Sequence, residues 1–169
     1  MNFEDLDKKA RLGAFSTLDM EVLVPEVEKL EPGDVYLEVG VDKGKSLSVA
    51  RMVAKEGVHV WGVDIQVSPG IAGTGFLQGD SVEMSKKWAL GKISVLFIDG
   101  DHSYQGCKRD IEAWYPHMKE GGVIMFHDAD ETSPGVQWAV AEFVSTHKLS
   151  EYKIFKRTDK NTSMALVRL

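Results

Sequence analysis

Two short stretches hold much of the chemistry this sequence has to offer. Asp99-Gly100-Asp101-His102 follows the apolar run Ile93 to Ile98, and His127-Asp128 follows the apolar run Val123 to Phe126. Carboxylates at two strand ends make a seat for a divalent cation, with Asp99 and Asp128 the best oxygen ligands. His127 is a third, weaker ligand, because imidazole suits zinc, manganese or iron better than magnesium. Asp99 and His102 lie across a tight turn and can both face one pocket. An imidazole there titrates near neutral pH and suits a general base. The alternative for these acids is structural: they orient the histidines or cap helices.

A third stretch, Val35 to Ser46, reads as strand, glycine turn and helix start. Val35 to Val39 is the near-continuous apolar run of a buried parallel strand. Glycine in the turn allows unusual backbone angles or close approach of a ligand, and the free N–H groups of the next helix point back at it. Three ligands compete for such a turn. A dinucleotide fingerprint wants a second glycine where Asp42 stands, and an acid there would repel phosphate. A phosphate loop wants one more residue between Gly40 and Gly44-Lys45-Ser46, and loses its wrap of successive N–H groups without it. The third ligand carries no phosphate. Glu38, Gly40 and Gly44 form E-x-G-x-x-x-G, which resembles the first motif of class I S-adenosylmethionine-dependent methyltransferases.

Asp64 closes the next short strand, 26 residues after Glu38. A two-strand nucleotide unit places there the carboxylate for ribose hydroxyls. Gly79-Asp80-Ser81 follows a brief third strand, and Asp80 or Ser81 is an N-cap by its position.

The likeness sharpens with F-I-D-G-D-H-S-Y and, some twenty residues on, K-E-G-G-V-I-M-F-H-D. With E-V-G-V-D-K-G and W-G-V-D-I, these resemble a branch of small class I methyltransferases. That branch includes macrolide-sugar O-methyltransferases and cephalosporin hydroxylase-like proteins, and the likeness covers about residues 34 to 146. It implies S-adenosylmethionine held by Glu38, Gly40, Gly44, Lys45, Ser46, Asp64, Ile65, Gly79, Asp80, Ser81 and Asp99, with Asp80 on the adenine amino group. It also implies Asp99 and Asp128 around a divalent metal (magnesium or manganese) and His102 as base beside Asp99. Metal-dependent members usually carry an acid where this chain has His127. The implied reaction is O-methylation of a small hydroxylated acceptor, such as a sugar or natural-product intermediate. Two alternatives stand beside it: a non-catalytic S-adenosylmethionine-binding partner subunit, and a phosphate-loop nucleotidase using Lys45, Ser46 and Asp99.

The elements that must position these residues alternate along the chain. Residues 1–15 read as a loose arm or short helix, and Ser16 or Thr17 caps a helix that Pro25 interrupts. Leu47, Ala50, Val53 and Ala54 mark a helix closed by Gly57. Asp80 or Ser81 opens a helix through Trp88. Cys107, Ile111, Trp114 and Met118 mark one ended by Gly121-Gly122. Ser133-Pro134 starts another. Tyr152 to Arg157 and Ser163 to Leu169 pair as a hairpin around the turn Thr158 to Thr162. The predicted fold is α/β: a Rossmann-like, doubly wound sheet, mostly parallel, with an antiparallel C-terminal hairpin strand. It divides into an N-terminal arm and helix (1–33) and one cofactor-binding domain (34–169). Each polar cluster follows a strand, so all converge on one rim.

Composition bounds the partners. The chain has 169 residues and a net charge of −6 with no dense basic run, which points away from nucleic acid. No apolar stretch reaches about 18 residues, the start lacks a signal-peptide pattern, and Cys107 is alone. A cytoplasmic protein with a small-molecule acceptor is expected, and a second copy could cover an otherwise open acceptor site.

Overall fold

The computed structural model describes residues 2–66, 68, 71, 75–157 and 162–169, apart from the side chains of 157 and 162. Among them seven strands form one sheet in the order β3-β2-β1-β4-β5-β7-β6. These are β1 Val35–Val39, β2 His59–Asp64, β3 Phe76–Gln78, β4 Ile93–Ile98, β5 Met118–His127, β6 Glu151–Arg157 and β7 Thr162–Arg168. Neighbours from β3 to β5 run parallel, and β7 is antiparallel to both β5 and β6. This is the predicted doubly wound sheet with its closing hairpin. The expected hairpin turn and most of the expected loop after β2 lie outside the described residues.

Side-chain alternation divides the core into two layers. Tyr36, Val95, Phe97, Val123, Met125, Met164 and Leu166 face α1 (Phe3–Lys9), α2 (Thr17–Glu28) and α3 (Lys45–Val53). Leu37, Leu96, Ile98, Ile124, Phe126, Ala165 and Val167 face α5 (Tyr104–Trp114) and α6 (Pro134–Thr146). Apolar residues on both faces explain why the central strands read as continuous runs rather than as alternation. Strand parity also determines where the terminal residues point. Asp99 and His127 continue the row that faces α2.

The N-terminal segment is built into this core. Leu6 is buried, and Asp7 pairs with Lys45 at 2.6 Å. Arg11 donates from Nε to the Lys43 carbonyl at 2.7 Å, tying the segment to the glycine turn. Ser16 and Asp19 form a reciprocal capping box at the start of α2. Pro25 does not interrupt this helix. Met20, Leu23 and Val27 are fully buried, and tertiary packing overrides the lost backbone bond.

Three boundaries differ from expectation. Helix α3 ends at Val53 with Ala54 as its C-cap, and Gly57 belongs to the turn entering β2, where its carbonyl accepts Gly33 N–H at 2.8 Å. Helix α4 (Ser81–Ser85) stops short of Trp88. Helix α5 ends at Trp114, followed by a 3-10 turn at Tyr115–His117, and Met118 opens β5. Gly121 and Gly122 therefore lie within the strand, where the ladder with β4 skips a step between Ile93 and Val95. A wide spacing with an irregular register is a strand feature that local glycine signals conceal. Among the described residues no helix is long and apolar enough to cross a membrane.

If α2 is an integral layer, Leu23→Ala leaves a cavity in the core and costs about 2–5 kcal/mol. Denaturant unfolding should remain a single transition with a lowered midpoint. An unchanged midpoint would mean that α2 is a dispensable arm.

Candidate active site

The strand order reverses between β1 and β4, and the glycine turn sits there. Gly40 adopts φ +85°, and a Cβ at this position would collide with the Asp99 carbonyl oxygen. Its N–H donates to the Val63 carbonyl at 2.9 Å, while Asp99 N–H donates to the Val39 carbonyl at 2.8 Å. Gly44 caps α3 in a left-handed conformation, and a Cβ there would meet the Ile71 side chain. Both glycines are therefore required by backbone angle and by close approach.

Asp64 does work that its position at a strand end did not reveal. Its Oδ2 accepts N–H from Val41 (2.7 Å) and Asp42 (2.9 Å), and its Oδ1 accepts Gln66 N–H at 2.9 Å. The successive N–H groups that could have cradled a phosphate already hold a carboxylate. Lys45 is turned to Asp7, away from the turn. The phosphate-loop alternative therefore lacks its anion site.

A cleft of about 560 Å³ opens above these strand ends. Gly40, Asp64, Ile65, Gly79, Asp80, Ser81 and Asp99 line it, as their positions suggested. Ile65 is an apolar ledge, 67% exposed, at its edge. Asp80 caps α4 by accepting Glu83 N–H at 3.1 Å and faces Arg109 at 3.5 Å. Glu38, Gly44, Lys45 and Ser46 do not line the cleft; they build the turn from beneath. Glu38 is fully buried, accepting from the Tyr36 hydroxyl at 2.9 Å and the Ser46 hydroxyl at 2.6 Å. Burial pushes its carboxyl up to about 8, against those two hydrogen bonds. Asp101, part of the acidic cluster after β4 in the sequence, lines the cleft as well, and so do Arg109 and Asp110, which no sequence motif singled out. A carboxylate within an amphipathic helical pattern, as at Asp110, carries no local signal of a site.

At the other side of Asp99 stands a compact polar cluster. His102 Nε2 lies 3.4 Å from Asp99 Oδ1 and 3.7 Å from Asp128 Oδ2. Asp99, His102 and Asp128 each offer one ligand atom, all within 4.8 Å of one another. The structure thus brings His102, in place of the expected His127, into the set able to hold a cation. His127 is buried behind it, with Nδ1 3.3 Å from Asp99 Oδ1 and 3.2 Å from Asp128 Oδ2. Its Nε2 is 3.5 Å from Asp19 Oδ2, an ion-pair distance without hydrogen-bond alignment. Burial opposes the charged imidazole, but Asp128, Asp19 and Asp99 together push it up to about 12. Burial also works to raise Asp99, and the hydrogen bonds from His102 and His127 hold it below the ordinary carboxylate value.

With this geometry in place, comparison with known proteins decides the family. The methyltransferase domain family matches residues 37–129, more than half of the chain. The chain belongs to that family. Its likeness to uncharacterized protein R132 of Acanthamoeba polyphaga mimivirus is 28% identity over 88% of this chain and 77% of that protein. Among solved structures it resembles the MycE methyltransferase of the mycinamycin biosynthetic pathway, solved with Mg and SAH, at a TM-score of 0.72 and 15% identity. That match covers 99% of this chain and 54% of MycE, so the chain spans about half the length of that relative. It also resembles CalS11, a TDP-rhamnose 3'-O-methyltransferase of calicheamicin biosynthesis, at a TM-score of 0.66 and 18% identity, over 89% of this chain and 77% of that one. At these identities the structural likeness shows the shared Rossmann-like fold.

The buried Glu38 makes a pH prediction. Its folded value near 8 exceeds the ordinary 4.5, so its contribution to stability is complete below about 4.5. That contribution is lost as pH rises through 8, because the unfolded state releases the proton first. Glu38→Gln should flatten the fall in melting temperature between pH 5 and 8 and leave the variant the more stable at pH 8. Parallel curves for the two proteins would show that Glu38 stays ionised.

Proposed function

We propose that this methyltransferase-domain protein binds S-adenosylmethionine in the cleft and methylates an oxygen of a small hydroxylated acceptor, with residues 34–169 forming the cofactor-binding domain. One observation carries the reading: a cleft at the switch point, free of any phosphate cradle, opens beside an Asp99-His102-Asp128 cluster on the same rim. When bound, the cofactor supplies an electrophilic methyl group on a sulfonium, so the protein need only align the acceptor and take up its proton. CalS11, a TDP-rhamnose 3'-O-methyltransferase, and MycE, a methyltransferase of the mycinamycin biosynthetic pathway, support sugars and natural products as the acceptor class.

His102 suits the proton-accepting role. Its side chain is 45% exposed, and Asp99 draws its pKa above the ordinary value through their hydrogen bond, with burial opposing. With Nε2–H given to Asp99, the lone pair falls on Nδ1, from which a proton can be taken up. Asp99 and Asp128 orient the ring. These two carboxylates and one imidazole also fit a divalent ion in kind and spacing, and would then hold it through Asp99, His102 and Asp128. Such an ion would lower the pKa of an acceptor hydroxyl.

Thermal melting with S-adenosylhomocysteine, NAD or ATP, each with magnesium, manganese or chelator, tests the cofactor. A ligand at 100 times its dissociation constant stabilises by about 2.7 kcal/mol. A rise with S-adenosylhomocysteine alone is expected. A rise only with ATP and metal would replace this reading by the nucleotidase. A metal-dependent rise that His102→Ala removes would make His102 a ligand. Against a confirmed acceptor, His102→Ala should lower turnover about 100-fold or more while sparing cofactor affinity. Unchanged turnover would sink the base assignment, and no turnover with any hydroxylated acceptor would favour a non-catalytic subunit.

A further inference from the structure

The floor of the cleft contains a carboxyl group with no role in the scheme above. Asp110 lies within α5 and is only 7% exposed, yet it lines the cleft together with Gly100, Gly106 and Ser81. Gly100 leaves it room, since a Cβ there would come within 3.1 Å of Asp110 Oδ2. Ser81 Oγ accepts Trp114 Nε1–H at 2.8 Å, which leaves the single hydroxyl proton of Ser81 to turn toward Asp110. Burial pushes the Asp110 carboxyl up to about 6; Ser81 and Arg109 oppose the rise, and Asp80 and Asp101 add to it. The neighbouring Cys107 thiol is pushed up by burial to about 12 and brings no positive charge. Among the described residues Asp110 is in no ion pair. Arg109 reaches Asp80 instead.

Burying a carboxyl with a single neutral partner is costly unless a further donor completes it. That donor must come from what fills the cleft. Asp80, the acid that the family resemblance assigns to adenine, has one oxygen on Glu83 N–H and the other toward Arg109. Asp110 is the buried acid in this corner that has only the neutral Ser81 hydroxyl as partner.

We propose that Asp110 is a specificity-determining residue of the cofactor cleft, its carboxylate accepting a hydrogen bond from the exocyclic amine of the cofactor's adenine. The assignment rests on the S-adenosylmethionine reading. It selects an amine over a carbonyl: hypoxanthine presents an oxygen where adenine presents N–H, and a carboxylate repels that oxygen. Ile65, apolar and open to the cleft, suits the flat face of either base.

Calorimetric titration of the full chain with S-adenosylhomocysteine and with S-inosylhomocysteine tests this. The parent protein should prefer the adenine compound by about tenfold or more, the value of one charge-assisted hydrogen bond. Asp110→Asn should reduce the preference to about twofold, chiefly by weakening S-adenosylhomocysteine, and Asp80→Asn should retain it. Asp110→Ser, which removes the buried charge without adding bulk, replaces the Asn variant if that one fails to fold. A full preference in the Asp110 variants, or its loss in Asp80→Asn, overturns the assignment. Failure of the parent to bind S-adenosylhomocysteine overturns the cofactor reading itself, and this assignment with it.

Discussion

The backbone of Gly40 rests against the carbonyl of Asp99, where β1 and β4 part to opposite helical layers. No side chain fits between them, and the left-handed angle at Gly40 turns the chain over the end of β1. The turn aims the N–H groups of Val41 and Asp42 at Asp64, which locks the end of β2 to the end of β1. It also brings Asp99 under the turn and directs its side chain outward to His102 and His127. A bulkier residue at this point would separate the two halves of the cleft. The cleft and the Asp99-His102-Asp128 cluster are thus joined at this backbone contact.

Around that contact the cleft is markedly acidic, but most of its carboxylates are already engaged. Asp64 holds three backbone N–H groups, Asp80 caps α4, and Asp101 accepts Ser103 N–H at 2.8 Å beside the start of α5. Carboxylates satisfied by backbone N–H build loops and are poor indicators of ligand contact. The same reasoning separates the two histidines. His102 stands at the surface beside its acids, whereas His127 is enclosed by Phe15, Phe97 and three carboxylates. A buried imidazolium among acids keeps Asp99 and Asp128 close together, where they would otherwise repel.

The N-terminal segment completes this arrangement. Asp19 both caps its own helix and faces His127 from below, so α2 contributes a charge to the rim from the opposite side of the sheet. Asp7 and Arg11 brace the glycine turn from the outside. The arm that precedes the first strand is therefore part of the rim's support, although none of its described residues lines the cleft.

Several features were legible in the chain because they depend on neighbours in sequence. Apolar runs doubly buried in a parallel sheet, glycines at obligatory turns and acids at strand ends all leave local patterns, and they placed the strands, the switch point and the residues from Gly40 to Asp128 on one rim. Boundaries set by longer-range contacts were hidden. Gly121-Gly122 reads as a helix stop but lies within β5, between the rungs that Met118 and Val123 make with β4, and Pro25 is overridden by packing of α2. The different settings of His102 and His127 were equally hidden. Strand parity points His127 into the α2 layer, where Asp19, distant in sequence, joins Asp128 and Asp99 in favouring its charged form, while the loop after β4 leaves His102 exposed beside Asp99 and Asp128. The sequence by itself determined which residues reach the rim. Only the tertiary structure decided which are buried, charged and already partnered, because burial and pairing are set by elements that meet only in the folded chain.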